Sequence, residues 1–349
     1  MQKTALITGI SGQDGSYLAE LLLKKDYIVH GIVRRTSMGD WPRLDGLDGQ
    51  LILHVGDVTD ACNMQQIISR VRPDEVYNLA GQSDVGVSFE CPLYTTSVNG
   101  IGVLNILEGI RTCGLVGACK MYQASTSELY GGLQEAPQSI HTAFYPRSPY
   151  SVSKLFGHWS VVNYREAYGL FAVNGILFNH ESPRRGKYFV TQKIIKGIVD
   201  ILSGSKESIV LGNLSSKRDW GHAKDYVRAM WLMLQQVEPR DFVICSGTQC
   251  SVRDFVSKAF AFVGITIFWE GDGICETGMW GDRIVVQVDE KYFRPTEVHS
   301  LLGCPQEAMQ DLQWVPEYDI EYVIRDMMLS EMSRAHISYP LDITTIAGA

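Results

Sequence analysis

The chain is poor in the signatures that would tie it to metal, dithiol, membrane or nucleic-acid work. Its eight cysteines (Cys62, Cys91, Cys113, Cys119, Cys245, Cys250, Cys275 and Cys304) include no C-x-x-C pair. That spacing argues against a zinc knuckle and a redox dithiol, and leaves reduced, mostly buried thiols as the expectation. The eight histidines show no H-E-x-x-H or paired spacing, so no protein-bound metal is expected. No apolar run approaches the roughly 18 residues needed to cross a bilayer. The opening Met1-Gln-Lys-Thr4 leads directly into a strand pattern, without the features of an export signal, and a cytoplasmic location is expected. A net charge of -8 and a pI near 5.5 disfavour any broad nucleic-acid or anionic-membrane footprint, because the mean field repels both. Internal repeats and low-complexity tracts are also missing.

What is present is a globular composition, 45% hydrophobic and 20% charged over 349 residues, enough for one large α/β unit with an appended part. Strand and helix patterns rotate from the start: strand Thr4–Thr8, a glycine turn, a helix to about Lys25, strand Ile28–Val33, strand Leu51–Val55, helix Asn63–Val71 and strand Glu75–Leu79. Helix Val98–Cys113, strand Lys120–Ala124, helix Tyr150–Tyr168 and strand Phe171–Phe178 continue the rotation. Such strict alternation predicts a doubly wound parallel sheet covered on both faces. Beyond Asn179 the rhythm breaks into polar, glycine-bearing stretches. We therefore expect a cofactor domain over 1–180, with helix Asp225–Gln236 and strand Phe242–Ser246 returning to it within about 223–248. A smaller, discontinuous substrate-binding part would occupy 181–222 and 249–340, and the tail after about Tyr339 would fray.

Gly9-Ile-Ser-Gly12-Gln13-Asp14-Gly15 follows the first strand and opens a helix, the setting in which backbone amides and a helix N-terminus receive a pyrophosphate. Glycine belongs there because a side chain would hold the phosphates off the backbone. At the end of the second strand, a carboxylate would select NAD and an arginine the 2′-phosphate of NADP. This chain has Arg34-Arg35, with Arg43 further on, so NADP is favoured over the alternative of two arginines on a solvated loop. Asp57-Val58 and Leu79-Ala80-Gly81 follow the third and fourth strands, where adenine and the nicotinamide ribose would rest.

Tyr150-Ser-Val-Ser-Lys154 sets a phenol and an ammonium at i and i+4, on one helix face. A neighbouring cation stabilises phenolate, so Lys154 is expected to lower the pKa of Tyr150 and make it a usable base. Thr126, at the end of Ala124-Ser-Thr-Ser-Glu128, can hydrogen-bond a substrate hydroxyl together with Tyr150. Glu128, two positions on and on the same face if the strand stays extended, suggests a second proton transfer at a neighbouring carbon. A structural salt bridge is the competing reading of that carboxylate.

These motifs, with Phe144-Tyr-Pro-Arg-Ser-Pro-Tyr150, Asn179-His-Glu-Ser-Pro-Arg-Arg-Gly186, Arg218-Asp-Trp-Gly-His-Ala-Lys-Asp-Tyr226 and Phe293-Arg-Pro-Thr-Glu-Val298, resemble the extended short-chain dehydrogenase/reductase family, in particular its GDP-sugar 4,6-dehydratases. The resemblance runs across nearly the whole chain and implies a Rossmann fold. It implies that Tyr150 takes the C4 hydroxyl proton while NADP accepts hydride, that Glu128 removes the C5 proton and helps expel the C6 hydroxyl as water, and that hydride returns to C6. Beyond the residues already named, it extends the cofactor set to His180 and Arg185. The substrate set becomes Ser83, Asn179, Glu181, Val190, Lys193, Leu211, Gly212, Arg218, Arg294 and Glu297, with Glu297 serving either guanine or sugar. The Arg184-Arg185 segment resembles a loop that reaches a neighbouring subunit, which implies a homotetramer.

The implied substrate is GDP-mannose or a related GDP-sugar such as GDP-mannoheptose. An epimerase or ketoreductase of the same fold would leave Glu128 without a task, and a silent NADP-sensing protein would need none of the four residues Thr126, Glu128, Tyr150 and Lys154. The stretch Met38–Arg43 reads as a compact link, and Asp272–Asp282 as a glycine-rich insertion with no assigned role.

Overall fold

Strand and helix do alternate through the first half of the chain, in a computed structural model that describes residues 2–37, 39–132 and 135–339. The order is β1 (Thr4–Thr8), α1 (Gln13–Lys24), β2 (Ile28–Val33), β3 (Leu51–Val55), α2 (Ala61–Val71) and β4 (Glu75–Asn78). Next come α3 (Val85–Glu90), α4 (Pro92–Thr96), α5 (Gly102–Thr112), β5 (Lys120–Ala124), α6 (Pro149–Tyr168), β6 (Ala172–Leu177) and β7 (Asn179–Glu181). The second half runs α7 (Val190–Leu202), β8 (Ile209–Leu211), β9 (Lys217–Arg218), β10 (Trp220–His222), α8 (Ala223–Leu234), β11 (Phe242–Ile244) and β12 (Cys250–Ser251). It closes with α9 (Val252–Phe262), β13 (Phe268–Glu270), β14 (Thr277–Trp280), β15 (Arg283–Val288), α10 (Gln306–Asp311) and α11 (Ile320–Arg334).

Seven strands form one sheet in the order β11-β6-β5-β4-β1-β2-β3, every pairing parallel. This is the doubly wound Rossmann-type arrangement, with its reversal of winding between β1 and β4. One face is covered by α1 and α8 around Leu18, Leu22, Met230 and Trp314. The other is covered by α2, α5 and α6 around Ile67, Ile106 and Val161. A separate core, built from α7, α9, α11 and the sheet β13-β14-β15-β8, packs Ile198, Phe255, Val285 and Met328. No helix among the described residues is long and apolar enough to cross a membrane.

Several local expectations are corrected. The helix expected over Val98–Cys113 begins instead with a π-helical turn at Ser97–Ile101. Gly100 and Gly102 sit there against Phe156 and Val58, and a Cβ on Gly102 would lie 2.8 Å from Val58 Cγ2, so the widened turn is wedged between neighbours. The cysteines are not mostly buried. Only Cys119 and Cys245 are, while Cys62, Cys91 and Cys275 are exposed on a helix start, a helix junction and the rim of the small sheet. The insertion at Asp272–Asp282 is a short 3-10 turn plus β14, an interior strand of the small sheet. Pro42–Leu44 in the compact link is also a 3-10 turn. The tail expected to fray, 340–349, and Met38 lie outside the described residues.

Candidate active site

The switch point between β1 and β4 is built by local chemistry. Thr8 Oγ1 donates to Asn78 Oδ1 at 2.6 Å and accepts from the Leu79 and Ala80 amides at 3.1 and 3.0 Å. Asn78 passes the ladder on, donating to Gln123 Oε1 at 2.7 Å, so three strand ends are locked in register. Gly9 has φ of 65°, and a Cβ there would lie 2.8 Å from the Leu79 and Ala80 backbone. A Cβ on Gly15 would run into Gly9 O and come within 2.6 Å of Ile10 Cα. Only glycine fits at both positions, which leaves backbone amides bare at the N-terminus of α1, where a dinucleotide pyrophosphate would sit.

From this turn a cleft of about 1420 Å³ extends to the smaller part. It is lined at the glycine-turn end by Gly9, Gly12, Gln13, Asp14, Gly15, Arg34, Asp57, Val58, Leu79, Ala80 and Gly81, with His180 and Arg185. At the far end it is lined by Ser83, Asn179, Glu181, Val190, Lys193, Leu211, Gly212, Arg218, Arg294 and Glu297. Arg35 is the one expected residue outside it: both arginines are exposed on the loop that leaves β2, but Arg34 borders the cleft, donating to Tyr94 Oη at 2.7 Å. Arg43 also borders it, bonded to Arg184 O at 2.8 Å and Ser11 O at 3.3 Å. Two arginines thus reach the end where a 2′-phosphate would lie, and the bare glycine turn matches the pyrophosphate, so the donor set suits a phosphorylated nicotinamide dinucleotide.

Thr126, Glu128, Tyr150 and Lys154 converge between the two ends. Helix α6 starts at a reciprocal cap, Ser148 Oγ accepting from Ser151 N at 3.1 Å and Ser151 Oγ from Ser148 N at 2.9 Å, with Pro149 at the first position. Tyr150 is therefore held in the first turn, and Lys154 one turn on donates to Ala124 O at 2.9 Å. The strand does not stay extended beyond Ala124. Thr126 caps a 3-10 turn, Ser127–Tyr130, by accepting from Glu128 N at 3.2 Å. Glu128 reaches the cleft through that turn and not by strand alternation, with Oε1 3.5 Å from Arg294 Nη1. Its carboxylate is largely buried yet faces the cleft, so the ion pair is part of the site.

Burial decides the protonation states here, against expectation. It pushes the Tyr150 phenol up to about 12, outweighing a hydrogen bond from Thr126 that favours phenolate, and Glu128 adds to the rise. Burial likewise brings the Lys154 ammonium down to about 8. Lys154 is held by the Ala124 carbonyl, 5.9 Å from the Tyr150 ring centre, and burial of the phenol outweighs any pull the ammonium exerts on it. Nearby, His180 bonds Asp14 at 2.9 Å; despite burial, that carboxylate raises the imidazole pKa, and the imidazole lowers that of Asp14.

Other expected contacts are turned to internal use. Glu181 accepts from Thr191 Oγ1 at 2.6 Å and lies 3.0 Å from Arg185, so its carboxylate is already engaged. Glu297 accepts from Arg294 N at 2.8 Å and shapes the turn bearing that arginine. Arg184 folds back on its own chain, bonding Ser16 and Glu20 and lying over the Tyr17 ring, and Arg185 lines its own cleft. Sequence reasoning missed Tyr94 and Tyr292; the second lies under Lys193, 3.4 Å from Nζ to ring centre. Its only sequence signal is an aromatic beside Lys291, two residues before Arg294.

Comparison with known proteins agrees with this geometry. The GDP-mannose 4,6 dehydratase family model matches residues 6–327. The GDP-mannose 4,6 dehydratase of Cricetulus griseus is 54% identical, covering 95% of this chain and 92% of its own. That of Vibrio cholerae is 51% identical, covering 96% and 95%. Among solved structures, a UDP-N-acetylglucosamine 4-epimerase from Methanobrevibacter ruminantium M1 shares the fold at a TM-score of 0.79 and 23% identity, covering 95% of this chain and 99% of its own. RMD from Pseudomonas aeruginosa, complexed with NADPH, does so at 0.76 and 21%, covering 95% and 100%. On the span and identity of these matches, the chain belongs to the GDP-mannose 4,6-dehydratase family.

Proposed function

We propose that this enzyme converts GDP-mannose to GDP-4-keto-6-deoxymannose and water, with NADP held throughout the cycle. The observation that carries the reading is the convergence of Thr126, Glu128 and Tyr150 on one cleft, with Glu128 brought in as a second acid/base beside the phenol. When bound, NADP supplies the hydride acceptor, returns the same hydride later, and in its oxidised form places positive charge near Tyr150, which favours phenolate. Tyr150 takes the proton of the C4 hydroxyl, guided by Thr126, as C4 is oxidised to a ketone. The ketone acidifies C5, and Glu128 removes that proton and returns one to the departing C6 hydroxyl, which leaves as water. Hydride then reaches C6 and C5 is reprotonated, so no net reduction of cofactor accompanies the turnover.

The sugar nucleotide is placed by Arg218, Arg294 and Lys193, whose charges suit a diphosphate in a chain that is acidic overall. We assign cofactor binding to 1–180 with the returning segment 223–248, and substrate binding to the intervening and following segments. The assembly we infer is a homotetramer, supported by Val152, Phe156 and Trp159, which lie 56%, 47% and 56% exposed along one face of α6. Mass spectrometry of the product from GDP-mannose tests the reaction. Loss of one water without accumulation of NADPH is expected; a product of unchanged mass, or steady NADPH formation, would refute it. GDP-mannoheptose in parallel reports the selectivity.

A further inference from the structure

Strand β9 ends at Arg218 and β10 begins at Trp220, and both side chains line the cleft. The residue between them, Asp219, is completely buried and is not part of the cleft wall. Its carboxylate is a junction. Oδ1 accepts from Ser246 N at 2.8 Å and from Ser246 Oγ at 2.7 Å. Oδ2 accepts from Gly247 N at 2.9 Å and, more weakly, from Gly303 N at 3.4 Å. All four partners are donors, and among the described residues no cation pairs with it.

The segments joined in this way both flank Arg218. Ser246 and Gly247 follow β11, the edge strand of the large sheet, and lead into β12, whose Cys250 pairs antiparallel with Arg218. Gly303 belongs to the stretch that follows the Arg294–Glu297 turn. That stretch is tied to β9 by Lys217 N to His299 O at 2.8 Å and Leu301 N to Lys217 O at 3.2 Å. One carboxylate therefore fastens the edge of the large sheet to the two arms of the smaller part that carry the diphosphate-facing arginines.

We propose that Asp219 is a positioning residue for nucleotide binding: its ionised carboxylate, by holding Ser246, Gly247 and Gly303 together, sets Arg218 in the cleft. The proposal rests on the reading of Arg218 as a nucleotide contact. Protonation would present an O–H to a ring of donors, and at least one anchor would be lost. Burial already brings the Asp219 carboxyl up to about 6, in spite of those hydrogen bonds. The titratable groups that face it are Tyr226 on α8 and Cys245 after β11, with Cys304 beside Cys245 on the third segment. Tyr226 and Cys245 are both pushed well above their ordinary values by burial and stay neutral near pH 6. A diphosphate diester has no ionisation in that range, so nucleotide affinity should fall with acidification through the titration of Asp219. His180 also changes charge above its ordinary value, and the variants separate the two groups.

The test uses the protein loaded with NADPH, which cannot oxidise C4, with GDP-mannose affinity measured by calorimetry from pH 5 to 8, and KM for GDP-mannose measured alongside on the NADP-loaded protein. For Asp219→Asn, whose amide turns two donors against the Gly247 and Gly303 amides, we expect the GDP-mannose Kd at neutral pH to rise by about tenfold, the value of one lost hydrogen bond of roughly 1.4 kcal/mol. NADP affinity and kcat should stay within about twofold, as for a lesion in uniform binding, and the acid weakening of GDP-mannose binding seen in the wild type should disappear. Ser246→Ala removes one donor without altering the backbone, and should move the midpoint of that weakening to higher pH because the charged form loses a partner. Wild-type GDP-mannose affinity in Asp219→Asn, or a Ser246→Ala midpoint unmoved from that of the wild type, overturns the proposal. If Asp219→Asn does not fold, the Ser246→Ala midpoint decides alone. GDP-mannose binding to the NADPH-loaded protein is read independently of turnover, so failure of the dehydratase reading and failure of the anchor appear in different columns of the same experiment.

Discussion

Replacing Glu128 with glutamine removes the second base and little else. The pair it forms with Arg294 at 3.5 Å has a Coulomb energy of about 5 kcal/mol at an effective dielectric of ~20, before desolvation. The Arg294 side chain is 32% exposed, so screening and desolvation reduce the net value to on the order of 1 kcal/mol. Removing the carboxylate charge also leaves Arg294 free for the substrate diphosphate. KM for GDP-mannose should therefore change by less than about tenfold, and downward. Loss of acid/base catalysis at C5 and C6 should slow water elimination by about 10²–10⁴-fold, or roughly 3–5 kcal/mol in the barrier. Oxidation at C4 relies on Tyr150 and Thr126 and should persist. Stopped-flow absorbance of Glu128→Gln mixed with GDP-mannose should show bound NADPH accumulating in a single burst, while solvent deuterium should no longer enter C5. Elimination at the wild-type rate would refute the reasoning. So would the absence of the burst, which would place Glu128 in the first hydride transfer.

Lys154 titrates at about 8 in the folded protein, against an ordinary 10.5, so the unfolded chain binds more protons between those values and stability rises with pH across that window. The denaturant midpoint of the wild type relative to that of Lys154→Met should climb between about pH 8 and pH 10, a comparison that cancels the opposite contribution of the buried thiols Cys119, Cys245 and Cys250, whose folded values burial raises; the Lys154 stabilisation is lost as pH falls through about 8. Gly15→Ala should lower the melting temperature through overpacking of about 1–3 kcal/mol and weaken NADP binding by about tenfold or more. Gly12→Ala, whose Cβ would meet only Gly9 O at 3.1 Å, should be milder in both readouts. Arg34→Ala should raise the NADP Kd by about tenfold, as expected for a lost charge-assisted contact, while Arg35→Ala should change it by less than about twofold. Phe156→Glu should shift the mass measured by light scattering toward smaller species, and an unchanged mass would exclude the α6 face from the assembly.

The glycine turn, the parallel sheet and the Tyr150/Lys154 pair were legible in the order of residues because each depends on short-range geometry. A turn needs glycine within a few positions, a buried strand needs a short apolar run, and i, i+4 spacing needs only a helix. The separation of Arg34 from Arg35 was not legible, since both leave the same strand exposed and only the bond to Tyr94, 60 residues on, sets Arg34 at the edge of the cleft. Nor was the path of Glu128. Its cleft position follows from a 3-10 turn capped by Thr126, not from an extended strand.

The chain's order of residues determined which groups are available: a glycine turn, a phenol, an ammonium, a hydroxyl and a carboxylate, at spacings that local structure can present. Tertiary structure decided their charge and their partners. Desolvation depends on everything packed around a group, and it raised Tyr150 and lowered Lys154 where adjacency alone pointed the other way. It also placed a solitary aspartate between two cleft residues to fasten three distant segments, a role that no spacing in the linear sequence could reveal because its partners lie 27, 28 and 84 residues away.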